Sequence, residues 1–231
     1  SDIVTHLATL DLVRGEWRTY TQAIQAPGEY MPGDQTNHTL FEQSAVNLEE
    51  NGGRQPIPYV IPPGIYQEVY TSTTSTGRQN EQALQLSVEN LFDGDARAVY
   101  KSTSFDFRYY KKLNMFIHAE KMYEYDDMET GDLTVFLRFG SDLTDNYYEY
   151  EVPLKFTDWY TSPSNDVAIW PEENTIEIDF EELIEVKTNR NKSLGKNNVQ
   201  ANRVYTEYDG RNKVKVLGNP TISEVRSMMI G

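Results

Sequence analysis

The chain has no cysteine. That excludes a disulfide framework and any thiolate metal site, while leaving the redox compartment open. Histidine is almost as scarce. His6, His38 and His118 are the only three in 231 residues, and no two share the spacing of a helical metal-ligand pair. No apolar run approaches the roughly 20 residues that a membrane-crossing helix needs. No signal peptide is visible, and the abrupt apolar finish at Met229-Ile230-Gly231 reads as a piece cut from a longer protein. Basic residues are outnumbered, 21 against 36 acidic ones, for a net charge of −15. Such a surface repels phosphate backbones and anionic lipid, so neither nucleic acid nor a membrane surface is an expected partner. The G-x-S-x-G, Walker and Rossmann glycine patterns are also missing.

What is present is aromatic and alternating. Sixteen tyrosines suit half-buried pleated strands. Leu84, Leu86 and Val88 alternate, as do Leu113, Met115, Ile117 and Ala119. Val135, Leu137 and Phe139 continue the pattern, then Tyr148, Tyr150, Val152 and Leu154, then Ile176, Ile178 and Phe180. A period of two places each set on one strand face. Asp93-Gly94, Thr130-Gly131-Asp132 and Ser162-Pro163-Ser164-Asn165 punctuate them as turns. The fold class predicted is all-β: an antiparallel sandwich of jelly-roll or galactose-binding-like type, with an N-terminal strand and linker segment.

One short helix interrupts the strands. Asp179 is placed as N-cap with Glu182 three residues on, and Phe180, Leu183 and Ile184 are expected to face the sheet. A hairpin follows, Val204–Tyr208 and Lys213–Val216 joined near Asp209-Gly210, and then a closing strand over Val225–Ile230.

Three zones emerge. Residues 1–47 hold short strands around Trp17-Arg18-Thr19-Tyr20 and Thr39–Val46 with a loop at 27–39, too little for a core of their own, so they complete or pack on a neighbour. Residues 48–79 form a Pro/Gly-rich connector containing Pro56, Pro58, Pro62 and Pro63, with a Ser/Thr-rich loop from Thr71 to Gly77. Residues 80–231 carry the sandwich.

Candidate chemistry is sparse. Acidic turns at Glu124–Asp132 and at Asp142, Asp145 and Asn146 lack the spacing of an EF-hand loop and read as solvated turns. No metal or cofactor is expected. Glu149 and Glu151 share a strand face at about 7 Å, a separation glycosidases use, but 36 acids produce such pairs by chance. His118 reads as structural. The expectation is a protein that is not an enzyme. Trp159, Tyr160 and Trp170 flank a polar loop and form the one candidate ligand site, an aromatic platform for a sugar or peptide; the competing reading is that they plug the sandwich end.

Long, irregular stretches give a further lead. Leu10-Asp11-Leu12-Val13-Arg14-Gly15-Glu16-Trp17-Arg18 is one, and Glu49–Arg54 running into Pro56–Ile65 another. Asp93–Lys101 with Lys112–Glu120 is a third. A fourth joins Gly131–Leu133, Arg138–Asp142, Asn146–Glu151 and Ile169–Asn174, and Gly218–Arg226 with Met229–Gly231 closes the series. In these stretches the sequence resembles the SprA/Sov family over nearly its whole length. The resemblance implies a soluble part of a very large outer-membrane β-barrel, the translocon of type IX secretion, which also serves gliding motility. It implies a structural or interaction domain whose partners are the parent barrel, accessory secretion subunits or secreted cargo. It brings no catalytic residues. The extracellular side is favoured over the periplasmic, because the longer insertions of barrels lie there. The alternative is a carbohydrate-binding module.

Overall fold

A computed structural model describes residues 17–21, 24, 38–67, 69–71, 76–78, 81–193 and 202–231. His6, residues 10–16 of the first resembling stretch, residues 27–37 of the predicted N-terminal loop and residues 72–75 of the Ser/Thr-rich loop lie outside them. In chain order the strands are β1 (Arg18–Thr19), β2 (Leu40–Asn47), β3 (Val69–Thr71), β4 (Thr76–Arg78), β5 (Gln82–Glu89), β6 (Val99–Phe105) and β7 (Lys112–Met115). They continue with β8 (Thr134–Gly140), β9 (Tyr147–Pro153), β10 (Ile176–Asp179), β11 (Tyr205–Asp209), β12 (Asn212–Leu217) and β13 (Val225–Ile230). The helices are α1 (Leu48–Asn51), α2 (Asp166–Ile169) and α3 (Phe180–Ser193).

Seven strands make one antiparallel sheet in the order β1-β6-β13-β8-β9-β12-β11. The alternation read from the sequence sets its inner face. Val135, Leu137 and Phe139 of β8 point the same way as Tyr148, Tyr150 and Val152 of β9 and Val214 and Val216 of β12. A second, smaller layer closes over them. It consists of the β7–β10 pair, which supplies Ile176 and Ile178, and helix α3, which supplies Phe180, Leu183 and Val186. Phe107 is wedged between the layers, 4.8 Å from the ring of Phe180 and 5.5 Å from Phe139. The all-β antiparallel sandwich expected from the sequence is thus the fold, built unevenly from a large sheet and a small cover.

Helix α3 starts as the cap predicts: Asp179 Oδ1 accepts the Glu181 N–H at 2.9 Å. Its buried face differs from the expectation. Phe180 and Leu183 turn inward, but Ile184 is 46% exposed, and the stripe continues through Val186 to Arg190. Arg190 is 2% exposed; it donates to the Gly218 carbonyl at 2.5 Å and to Asn191 Oδ1. The stripe runs at three-to-four-residue steps, and Ile184 falls one residue off it.

The sheet's outer face carries charge instead of apolar side chains over much of its width. Arg138 pairs with Glu149 at 2.7 Å, Lys215 with Glu149 at 2.8 Å and with Glu151, and Lys213 with Glu151 at 2.7 Å. The register fixes this ladder, since Arg138 sits opposite Glu149, Lys215 opposite Glu149 and Lys213 opposite Glu151. The Arg138 guanidinium also lies 4.1 Å over the Tyr147 ring. Toward the other end of that face, Ile24, Ala98, Phe136, Leu143 and Met229 form a second apolar cluster with Tyr20 against it. Tyr20 and Ile24 therefore pack on the outer face, joined to it through β1 and the Tyr20 N–H to the Ala98 carbonyl, while Trp17 packs against the inner cluster.

Residues 48–67 also dock on the body. Ile57 is fully buried, and Tyr59 is nearly so, in a third cluster with Ile169 and Trp170. Strands β2 and β5 pair over eight residues each as a separate two-stranded ribbon above this segment. The residues flanking the centre of the Ser/Thr-rich loop pair as β3 and β4. Among the described residues no helix is long and apolar enough to cross a membrane.

Candidate functional site

Polar groups from distant parts of the chain converge where the 48–67 segment meets the sandwich. Arg54 reaches Glu120 with both ends of its guanidinium, 2.6 Å to each carboxylate oxygen, while its Nε donates to the Ile57 carbonyl at 3.0 Å. That fork matches a carboxylate in a way a lysine cannot. His118 lies beside the pair. One ring nitrogen is 3.2 Å from Glu120 Oε2 and the other 2.7 Å from the Ile169 carbonyl. Burial alone would raise the Glu120 carboxyl. Hydrogen bonds from His118 and Arg54 outweigh it, and the group sits below the usual carboxylate range.

Why the sequence folds this way is local. Asn47 caps α1, accepting the Glu50 N–H at 2.9 Å, and the tight turn Gly52-Gly53 brings Arg54 back toward the body. The parallel bridge between Glu120 and Thr157 fixes the carboxylate end. Tyr59 donates to Glu81, and burial followed by that carboxylate pushes its hydroxyl upward in pKa.

The three aromatic residues singled out from the sequence have different environments. Trp170 is 7% exposed; its indole N–H donates to the Val60 carbonyl at 2.9 Å, and its ring meets Tyr59 edge-on at 6.0 Å and His118 at 5.9 Å. Trp159 is half-buried and donates to the Lys121 carbonyl at 3.0 Å. Tyr160 is 65% exposed, edge-on to Trp159, with a positive φ of 62° held by its N–H on the Pro56 carbonyl. Tyr160 and Trp159 share a ring contact; Trp170 belongs to the cluster under the 48–67 segment, and Trp159 packs against that same cluster. A shallow groove of about 310 Å³ opens beside Tyr160, between Gly52–Pro58 and Thr161–Pro163.

Of the acidic groups weighed for chemistry, Glu149, Glu151, Asp142, Asp126 and Asp132 are engaged in structure. Glu149 and Glu151 are both buried, and each is neutralised by two cations of the ladder. Burial pushes the Glu151 carboxyl up, but hydrogen bonds from Lys213 and Lys215 bring it below its ordinary value. Asp142 spends Oδ1 on the N–H groups of Thr144, Asp145 and Asn146 and Oδ2 on the Asn146 amide, which folds its turn. Asp126 accepts from the Tyr123 N–H and Asp132 from the Glu129 N–H in the same manner. Among the described residues no group of three His, Asp or Glu side chains converges as a metal site.

Sequence reasoning did not find the Arg54–Glu120–His118 cluster, whose members come from two segments. The available signal was the resemblance itself, since Arg54, His118 and Glu120 all lie within the quoted stretches. A search of curated proteins returns no match. A family model described as SprA_N, motility related/secretion protein, matches residues 1–231.

Proposed function

The chain belongs to the SprA_N family of motility-related and secretion proteins, and from that premise we propose that it is a non-enzymatic structural and interaction domain of a large outer-membrane translocon serving type IX secretion and gliding. The observation that carries this reading is the family match across all of residues 1–231. The engagement of the polar cluster supports it. Arg54, Glu120 and His118 spend their hydrogen-bonding groups on one another and on backbone carbonyls, the usual economy of a structural joint. Its partners are the parent barrel, accessory secretion subunits or passing cargo, and its place is the cell envelope at the outer membrane, on the extracellular side. The test uses the full-length protein in its own cells. Arg54→Ala combined with Glu120→Ala is expected to reduce export and spreading; normal export and spreading would overturn the reading. Purified protein is expected to turn over neither glycosides nor esters, and turnover abolished by one acid-to-amide change would refute the non-enzymatic part.

One observation favours a second reading, carbohydrate binding: Tyr160 presents an exposed ring beside Trp159 at the mouth of the groove. Sugars stack on such rings. A glycan array comparing the unmodified protein with Tyr160→Ala separates the two. Binding lost in the variant supports the second reading, and no binding by the unmodified protein ends it.

A further inference from the structure

Strands β2 and β5 form an eight-rung antiparallel ribbon outside the main sheet, from Leu40 opposite Glu89 to Asn47 opposite Gln82. Each strand has one neighbour, so each has an edge of backbone donors and acceptors that no other strand among the described residues pairs with. Two-stranded ribbons are marginal in water, and unpaired edges are templates for another strand.

The pairing register sorts the side chains. One face holds Phe41, Gln43, Ala45 and Asn47 against Val88, Leu86, Leu84 and Gln82; the other holds Leu40, Glu42, Ser44 and Val46 against Glu89, Ser87, Gln85 and Ala83, its Val46–Ala83 rung packing on the Ile57–Trp170 cluster. The first face is largely apolar: Phe41, Leu84, Leu86 and Val88 are each half-buried and none joins the three apolar clusters of the body, while Gln43 between them donates to the Trp17 carbonyl at 3.1 Å. The second face is acidic. Glu42 and Glu89 lie on it, and Glu49, Glu50 and Glu81 follow at its foot. Residues 40–50 and 81–90 contain no lysine or arginine, and among the described residues none of these five carboxylates has an ion-pair partner. The β8–β9–β12 ladder is built the other way, each of its two carboxylates meeting cations across the strands.

We infer that the β2–β5 ribbon is a strand-addition site for an extended polypeptide segment in which apolar and basic side chains alternate. Such a segment satisfies three features at once. Its backbone completes an open edge. With a period of two, its apolar side chains extend the Phe41–Leu86 face while its lysines or arginines fall on the opposite face, beside Glu42 when it adds to β2 or beside Glu89 when it adds to β5. Strands with the reverse charge pattern place carboxylates against carboxylates and are rejected. The inference rests on the ribbon's register and charge and stands independently of the translocon reading.

The probe is a fluorescent eight-residue peptide of alternating valine and lysine, titrated by anisotropy into the whole chain. Two controls accompany it: a valine–glutamate peptide, and the valine–lysine peptide N-methylated at alternate residues. The expected result is saturable binding of the first alone, weakened at least tenfold by Glu42→Lys with Glu89→Lys, with new hydrogen-exchange protection confined to residues 40–47 or 82–89. Methylation keeps the charge and removes backbone donors, so equal binding of the methylated peptide reduces the effect to attraction by a protein of net charge −15 and overturns the inference. No binding, equal binding of the acidic peptide, or protection elsewhere overturns it too. So does self-association through the ribbon that excludes the peptide, which assigns the edge to a second copy of the chain. Circular dichroism of the charge-reversed variant checks that it folds; should it not, Glu42→Gln with Glu89→Gln replaces it, with weakened binding again expected.

Discussion

Arg54 and Glu120 stand 66 positions apart in the chain, and the guanidinium of one holds both oxygens of the other at 2.6 Å. The pair is the charged fastening between the 48–67 segment and the sandwich, beside the Trp170 bond to the Val60 carbonyl and the Tyr160 bond to the Pro56 carbonyl, with Ile57 and Tyr59 as the apolar one. Both side chains are less than a third exposed, so solvent screening takes only part of the interaction. Arg54→Met is expected to lower unfolding free energy by about 1–3 kcal/mol, because it leaves Glu120 with His118 alone. Arg54→Lys should recover only part of the loss, since the fork geometry is gone. Urea denaturation measures the energies. Hydrogen exchange at Ile57 and Tyr59 shows whether the segment lifts, and unchanged protection there would separate the pair from the docking.

Acid should loosen both this joint and the outer-face ladder. Glu120 and Glu151 are both held below their ordinary carboxyl values. A group depressed on folding contributes stability above its unfolded pKa, about 4.3 for glutamate, and loses it as pH falls through the lower folded value. Stability is therefore expected to be level through pH 5 to 7 and to decline below about 4.3. Glu120→Gln should start from a lower plateau and show a shallower decline. An equally steep decline in that variant, followed by thermal melts across pH, would remove Glu120 from the account.

The aromatic trio should split by burial. Trp170→Ala is expected to cost about 3–5 kcal/mol, the range for emptying a buried aromatic site. Trp170→Phe should cost less while still leaving the Val60 carbonyl without its donor. Tyr160→Ala should fall within about 0.5 kcal/mol of the unmodified protein, as expected of an exposed side chain. Thermal or chemical denaturation of the three variants decides it.

Neighbouring residues on α3 make the sharpest comparison. Leu183 is 1% exposed and Ile184 is 46% exposed. Leu183→Ala should destabilise by about 2–5 kcal/mol. Ile184→Ala should change little, since alanine's helix propensity offsets the small lost contact. Equal effects would mean that the helix presents a different face from the one described.

How much of this was legible follows from the physics of each element. Strands β8, β9, β10 and β12 announced themselves because one face of each is sealed, and sealing enforces strict alternation. Strand β6 did not: after Val99 it reads Tyr-Lys-Ser-Thr-Ser-Phe, a half-exposed run with little period to see. The run from Leu113 to Ala119 alternates throughout, yet only Lys112–Met115 pairs, because its partner β10 is four residues long. On α3 the hydrophobic label of Ile184 misled. Arg190 takes the inward position because the Gly218 carbonyl, 28 residues on, receives it. That kind of burial depends on a distant backbone group and leaves no trace in local pattern. The same holds for Arg54 and Glu120, each unremarkable within its own segment.

Strand β13 lies between β6 and β8, bonded to both, although it comes last in the chain. Without β13 the sheet is two halves, β1–β6 and β8–β9–β12–β11, each with a raw edge. Only when Val225–Ile230 takes its place are the halves bridged and Val99 and Leu137 sealed from water. Pairing at such sequence distance makes closure of this sheet slow.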